Sequence, residues 1–392
     1  MSTFAPAVTE TGGVREANAA AVLTVVRDKG PLSRGSIGSE TSLSAPTVSR
    51  QVATLTGLGL LREFPDRRRS GGVGRPGMLV DIDDGVVAAC GVHVGVATTT
   101  YGLTTPRGRL LGSERIPTPA GPPEDALVRI AARVRTFLRR WPTRTVIGLG
   151  FATGGQVDPS GGTVSHDRLG WAGVEVGDLL RRATGLRVYV DGHVPAMANA
   201  ELLFGAAQRA GSLLYFYARQ VVGMAVAVHG RLHRGPGGAG NIAHLDVGSD
   251  VACPCGRTGC LEVTVAEGTV VEEAMRRGVI ADPDISALRR AAEAGGEEAA
   301  GILRDRAVML GKAVGVLRDV LDPELVVLGG QAVTEAPDFL DDLLGAFAAT
   351  TTLPGHGIVQ VTRFGPDVQA MAACTGLLDQ LYQNPLAVLA SV

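Results

Sequence analysis

Apolar residues at helical spacing form the first clear pattern near the N-terminus. Between residues 14 and 29 they recur at i, i+3, i+4 and i+7, at Ala19, Val22, Leu23 and Val26. This stripe predicts an amphipathic helix that ends at Gly30-Pro31, because proline cannot continue a helix. A second, shorter helix is predicted to begin at Ser33.

The third predicted helix has the clearest start. Ser44 can cap it, Pro46 is tolerated in the first turn, and the buried stripe is Val48, Val52 and Leu55. Its outward face carries Thr47, Ser49 and Arg50. Small hydroxyls and an arginine can reach phosphates and base edges in the major groove of DNA, although an ordinary solvated face is the alternative.

Two strands are predicted next, over residues 60–64 and Met78–Ile82, with the loop PDRRRSGGVGRPG between them. The loop can contact DNA, with Arg67, Arg68 and Arg69 along phosphates and Arg75 in a minor groove. The alternative is a disordered polar hairpin tip. Three helices followed by a hairpin with a basic tip is the order of a winged helix-turn-helix. We therefore predict a flexible tail over residues 1–13 and a DNA-binding domain over 14–82.

The remaining chain alternates between short apolar runs and helical stretches. The β-branched and apolar runs fall at residues 86–96, 146–152, 188–190, 213–218, 224–228 and 325–328. Helical patterns occupy residues 125–140 and 304–320. This alternation predicts an α/β architecture.

Composition adds limits on size, compartment and partners. A chain of 392 residues with 45% hydrophobic residues predicts two or three globular domains. Residues 1–80 hold ten basic against six acidic side chains, which favours a polyanionic partner for that end. The N-terminus shows no secretion signal and the chain shows no apolar run of about 20 residues, so we expect a cytoplasmic protein without a membrane partner.

Four potential metal ligands lie within GNIAHLDVGSDVACPCGRTGCLE: His244, Cys253, Cys255 and Cys260. Four such donors complete a tetrahedral zinc site and leave no position open for a catalytic water. The sequence therefore predicts a structural zinc ion. The alternative is three reduced thiols without a metal.

These stretches resemble the ROK family of repressors, open reading frames and sugar kinases. The resemblance rests on REANAAAVLTVVRDKGPLSR, SLSAPTVSRQVATLTGLGLLRE, the Gly-Arg-Pro at residues 74–76 and the CPCGRTGC run, and it covers nearly everything from Val14 onward. It implies an α/β protein in which a winged helix-turn-helix precedes a two-lobed actin-like, ribonuclease H-like ATPase-type fold. The lobes are expected at 83–190 and 191–362, with a C-terminal helix over 363–392 returning to the first lobe.

The resemblance also shows where this chain departs from the family's kinases. Their Asp-x-Gly-Gly-Thr phosphate turn corresponds to His93-Val94-Gly95-Val96-Ala97, and their catalytic aspartate corresponds to His193. We therefore predict that the chain is not an enzyme, because the magnesium ligand, the phosphate turn and the base are all substituted.

Resemblance further implies an effector pocket in place of the sugar site. It would contain His193, Asn241 in place of a sugar-binding glutamate, Glu262, and the zinc-bound His244. Loss of two carboxylates makes an anionic sugar derivative less unfavourable as a ligand.

The predicted function is a repressor of carbohydrate-related genes that binds a double-stranded DNA operator as a homodimer or tetramer. Its kinase-like portion would bind the effector and dimerise. Two alternatives stay open at this point: an ATP-dependent sugar kinase with an accessory DNA-binding domain, and a regulator controlled by a protein partner.

Overall fold

The computed structural model describes residues 13–66, 77–235, 240–365 and 368–391. The N-terminal module consists of α1 (Val14–Lys29), β1 (Leu32–Ser33), α2 (Arg34–Thr41), α3 (Ala45–Gly57), β2 (Leu61–Pro65) and β3 (Met78–Ile82). The helices lie where the sequence predicts them. The strand predicted from residue 60 begins at Leu61, because the Leu60 N–H instead bonds to the Leu55 carbonyl, 2.9 Å away, at the end of α3.

Burial explains why these helices form. The predicted stripes of α1 and α3 are fully buried, and the Ser33 hydroxyl caps α2 by accepting from the Ser36 N–H at 3.1 Å. Ser44 precedes α3 as predicted, but the cap differs from the prediction. Its hydroxyl lies 2.9 Å from the Thr47 hydroxyl and makes no bond to a backbone N–H of the helix. In the small sheet β3 lies between β1 and β2, antiparallel to both.

The next part of the chain contains β4 (Val87–Val94), β5 (Thr98–Thr104), β6 (Leu110–Pro117), α4 (Pro123–Leu138), β7 (Thr145–Thr153), β8 (Gln156–Asp158), β9 (Thr163–His166), β10 (Trp171–Val174), α5 (Val176–Thr184), β11 (Val188–Gly192) and α6 (His193–Phe204). The main sheet has the order β11-β7-β4-β5-β6, in which β11, β7 and β4 are parallel and β4, β5 and β6 are antiparallel. The core between this sheet and α4 contains Tyr101, Phe137 and Phe151.

A second sheet follows in the order β14-β13-β12-β15-β16. The elements of this part are β12 (Ser212–Ala218), β13 (Val222–Val228), β14 (Arg231–Leu232), α7 (Leu261–Val265), α8 (Glu267–Arg276), α9 (Ile285–Glu293), α10 (Glu297–Leu321), β15 (Leu325–Gly329), α11 (Gln331–Thr334), α12 (Leu340–Thr350) and β16 (Val359–Val361). Its core joins the sheet to α10 and α12. The α/β prediction is therefore confirmed.

The sequence predicts one C-terminal helix, but the structure has two: α13 (Val368–Gln383) and α14 (Pro385–Ala390). The helix breaks because Pro385 disfavours helical geometry in the residue before it, and Asn384 adopts φ −141°. The chain divides into two compact units, Met1–Ala196 with Asp367–Val392, and Met197–Pro366. The lobe boundaries expected from the sequence stay predictions.

In the first unit, α13 packs directly on the backbone of the main sheet. A Cβ atom on Gly150 of β7 would lie 1.8 Å from the Ala373 carbonyl oxygen, and one on Gly91 of β4 would lie 2.7 Å from the Cys374 Sγ. Only glycine allows this approach. Interiors packed this closely do not accept an added methyl group without displacement of the helix or the strand.

The N-terminal module contacts the two C-terminal helices through α1. The Arg27 guanidinium lies 4.4 Å from the centre of the Tyr382 ring, and the Glu16 carboxylate accepts from the Leu386 N–H at 2.7 Å. The Tyr382 hydroxyl donates to the Pro106 carbonyl at 2.7 Å. The last turn of α13 therefore touches both the module and the main sheet region. None of the helices in the described residues is long and apolar enough to cross a membrane.

Replacement of Gly150 by alanine should destabilise the first unit by about 3 kcal/mol, because the new methyl group overlaps the α13 backbone. Gly301 is the matched control, since a Cβ atom there meets nothing within 4 Å inside α10. Gly301→Ala should stabilise the protein by about 0.5 kcal/mol through its helix propensity. Urea unfolding of the full chain measures both, and equal stability of the Gly150→Ala variant and wild type would contradict the packing argument.

Candidate functional site

The predicted zinc ligands lie together. The donor atoms of His244, Cys253, Cys255 and Cys260 are all within 4.8 Å of one another. The Cys253 Sγ is 3.6 Å from the His244 Nδ1, and the Cys255 Sγ is 3.7 Å from the Cys260 Sγ. A tetrahedral zinc ion with bonds of about 2.3 Å to sulfur and about 2.0 Å to nitrogen separates its sulfurs by about 3.8 Å, and sulfur from nitrogen by about 3.5 Å. The donor set therefore fits zinc.

Backbone hydrogen bonds hold the ligands in this arrangement. The Cys253 N–H donates to the Arg257 carbonyl at 2.8 Å, and the Val247 N–H donates to the Gly259 carbonyl at 2.9 Å. Gly259 has φ +74°, and a Cβ atom there would lie 2.8 Å from the Ser249 carbonyl oxygen. Glycine is required at this turn because both the conformation and the space exclude a side chain.

Electrostatics favour metal binding by the exposed thiol. A hydrogen bond from the Arg257 side chain lowers the pKa of Cys255 to about 6, so a thiolate is present at neutral pH. Burial raises the pKa of Cys260 to about 11. A bound cation would remove that proton, since cysteine binds metal as the thiolate.

Two of the predicted effector residues have structural roles near the cluster, Asn241 in the loop and Glu262 in α7. The Glu262 N–H donates to the Ala243 carbonyl at 3.0 Å, and a Glu262 carboxylate oxygen accepts from the Val222 N–H at 3.2 Å. Asn241 is exposed, and its side-chain oxygen accepts from the Ala243 N–H at 3.2 Å. Glu262 and Asn241 therefore both bind backbone next to His244, in the second compact unit.

The structure pairs the fourth effector residue, His193, with His93. The His93 Nε2 lies 2.6 Å from the His193 Nδ1, and both rings are buried. His93 lies near the end of β4 and His193 begins α6, both in the first unit. In this hydrogen bond one nitrogen donates and the other accepts. The pair can therefore hold one additional proton without breaking, because two protonated rings would place donor against donor.

The predicted DNA-binding residues are only partly described by the structure. Arg50 is exposed on α3, and Thr47 and Ser49 are half-buried on the same helix. The Thr47 hydroxyl is bonded to Ser44, which fixes its position at the start of α3. Arg67, Arg68, Arg69 and Arg75 lie outside the described residues, so their predicted contacts with DNA stay predictions.

Comparison with known proteins identifies the family. Residues 89–359 match the ROK family, and the transcriptional regulator Rv0485 of Mycobacterium tuberculosis strain H37Rv is 40% identical over 95% of this chain and 87% of its own length. The chain belongs to the ROK family. The xylose repressor of Bacillus spizizenii is 24% identical over 84% of the chain and 86% of its own length.

Solved structures agree with the ROK assignment. A ROK family transcriptional regulator, a homolog of the E. coli MLC protein, superposes with a TM-score of 0.83 and 21% identity, covering 96% of this chain and 99% of that chain. The ROK hexokinase of Thermus thermophilus superposes with a TM-score of 0.65 and 27% identity, covering 74% and 97%. The fold is thus common to ROK regulators and ROK kinases.

Sequence reasoning missed two features of the site. It treated His93 as a lost metal ligand and did not recognise it as the partner of His193. One sequence signal could have indicated the pair. Histidine occurs at both positions where the resemblance to ROK kinases implies aspartate. It also missed the contacts of Arg27 and Glu16 with the C-terminal helices, for which the sequence offers no signal, because the partners are more than 350 residues away.

Replacement of Cys255 by serine should lower the zinc content of the purified full-length protein well below one ion per chain, because a neutral hydroxyl is a much weaker zinc ligand than a thiolate. The thermal unfolding temperature should also fall, since the metal stabilises the folded loop. Cys90→Ala is the control, because Cys90 is buried outside the cluster. Equal zinc content in the Cys255→Ser variant and wild type would rule out this ligand assignment.

Proposed function

We propose that this protein is a sequence-specific DNA-binding repressor of carbohydrate-related genes. The N-terminal module is its winged helix-turn-helix. The ROK portion binds a small-molecule effector, carries a structural zinc ion, supports a homodimer or tetramer and performs no catalysis. The observation that supports this most strongly is the exposed Arg50 on the third helix of a three-helix, three-strand module, in a chain 40% identical to a transcriptional regulator.

Two features of the N-terminal module, its third helix and its strand pair, support sequence-specific DNA binding. Its α3 buries Val48, Val52 and Leu55 in the core and leaves Arg50 free to approach a groove. The strands β2 and β3 pair in an antiparallel manner, which is the arrangement that a wing requires. A dimer would present two such helices to half-sites about one helical turn, or a multiple of it, apart.

Catalysis is disfavoured by the residues at the two key kinase positions. His93 and His193 form a hydrogen bond with each other. Neither residue has a carboxylate that could hold magnesium or deprotonate a sugar hydroxyl, as an aspartate could. A sugar kinase is the alternative function, because the hexokinase of Thermus thermophilus has the same fold. The histidine pair nevertheless favours a ligand-binding role over phosphoryl transfer.

Contacts within the first unit supply a route from ligand to DNA. His93 lies on β4, β4 packs against α13, and Tyr382 near the end of α13 contacts Arg27 of α1. An effector that favours one arrangement of the histidine pair would change the preferred position of α13, and through α13 that of the N-terminal module. Only a ligand with different affinities for the two arrangements can do this.

Arg50→Ala should weaken binding to the duplex that the wild-type protein selects from a random pool by about tenfold, because one groove contact is lost. Arg231→Ala is the matched control, since Arg231 is exposed on β14 in the other unit. Electrophoretic mobility shifts at a fixed moderate salt concentration measure both. Unchanged affinity of the Arg50→Ala variant, or no sequence preference in wild type, would contradict the proposed reading helix.

Gluconate and glucose 6-phosphate should raise the thermal unfolding temperature of wild type by several degrees, because a ligand that binds the folded state stabilises it and the histidine pair carries no negative charge to repel an anion. Glucose should have a smaller effect. His193→Gln should reduce the response to the anions, whereas His233→Gln, at an exposed histidine, should preserve it. Stabilisation by glucose alone would refute the anionic effector, and ATP-dependent phosphorylation of glucose would refute the non-catalytic assignment.

A further inference from the structure

A shallow cleft of about 460 Å³, largely open to solvent, lies in the first unit between α4 and the outer strands of the main sheet. It is lined by Tyr101 from β5, Ile116 from β6, the adjacent Pro119, and Arg129, Arg133 and Thr136 from α4. Ligand sites of this size combine apolar walls with a few convergent polar groups. None of these residues belongs to the proposed effector or zinc site.

Two buried polar atoms in the lining lack protein partners within the described part of the chain. They are the hydroxyl oxygen of Tyr101, whose side chain is fully buried, and the Nε of Arg133. Buried donors are almost always hydrogen-bonded, because an unpaired one costs free energy. Two such donors in one cleft indicate a bound group that accepts hydrogen bonds.

Charge around the cleft favours an anion. Glu114 forms ion pairs with Arg133 and Arg140, so one carboxylate is shared between two guanidinium groups. Arg129 is exposed and donates to the neutral Ala120 carbonyl. Burial raises the pKa of Tyr101, with the charge of Arg133 opposing this effect. The hydroxyl therefore keeps its proton and can donate to an anionic oxygen.

We propose that this cleft is a second ligand site, for a small molecule that carries a carboxylate or phosphate group on an apolar body. The Tyr101 hydroxyl and the Arg133 Nε donate to the anionic group, and Arg129 adds positive charge at the rim. Ile116 and Pro119 contact the apolar body. This site goes beyond the proposed repressor function, since it uses none of the residues assigned to DNA or effector binding.

The test uses the full-length protein and three matched probes: benzoate, phenyl phosphate and benzyl alcohol. At least one of the two anions should bind wild type saturably in isothermal titration, and benzyl alcohol should not. Tyr101→Phe should weaken that binding about tenfold, the effect of one hydrogen bond to a charged group. Its unfolding temperature should stay equal or rise, because the lost hydroxyl has no protein partner among the described residues.

Tyr215→Phe is the control variant, because Tyr215 is buried in the second unit with its hydroxyl against the Met197 sulfur, 3.6 Å away. It should bind the anion as wild type does. Binding of benzoate alone would assign a carboxylate ligand, and binding of phenyl phosphate alone would assign a phosphate ligand. Absence of saturable binding by either anion, equal binding of benzyl alcohol, or undiminished binding by the Tyr101→Phe variant would each overturn the proposal.

Discussion

The direct contact between the α13 backbone and the central strands of the main sheet is the constraint on which the first unit depends. Gly150 and Gly91 leave no side chain between strand and helix, so α13 cannot shift without disturbing β4 and β7. Tyr382, in the last turn of the same helix, contacts Arg27 of the N-terminal module. The histidine pair and the module that contains α3 are therefore attached to one tightly packed helix. In such a core a small displacement at one end is transmitted and not absorbed.

The second unit contains a loop, over residues 240–260, in which few hydrophobic side chains are buried. These are Ile242, Cys253 and Cys260, whereas Leu245 and Val247 pack against the core while only partly buried. Ordering such a segment costs conformational entropy, which this burial opposes. Zinc binding would add to the free energy that orders the loop, because a site that forms only in the folded state makes metal binding part of folding. A structural zinc ion at the Cys3His set would thus act through the stability of this loop.

The sequence predicted the local features of the N-terminal module and the metal cluster well, for physical reasons. The stripe of Val22, Leu23 and Val26 depends only on helical periodicity, and the cysteine spacing depends only on a short turn. The sequence could not predict the role of Gly150, because the close approach of α13 to β7 depends on two segments that are far apart in the chain. The same limit applies to His93 and His193, which are 100 residues apart and meet only after β4 and α6 have formed. Proline at position 385 is a sequence signal for the break between α13 and α14, but the prediction of a single C-terminal helix did not use it.

The resemblance to ROK kinases implies imidazoles at His93 and His193 where the kinases carry carboxylates, and this bears on which ligands the site would favour. A kinase site with aspartates near phosphate needs a divalent cation, since carboxylate and phosphate repel each other. The pair of His93 and His193 carries no negative charge and can accept one proton, so an anionic group can approach without a metal. Under the proposed function, the same substitutions would remove both the need for magnesium and the catalytic base. A site of this kind would suit the effector of a regulator better than phosphoryl transfer.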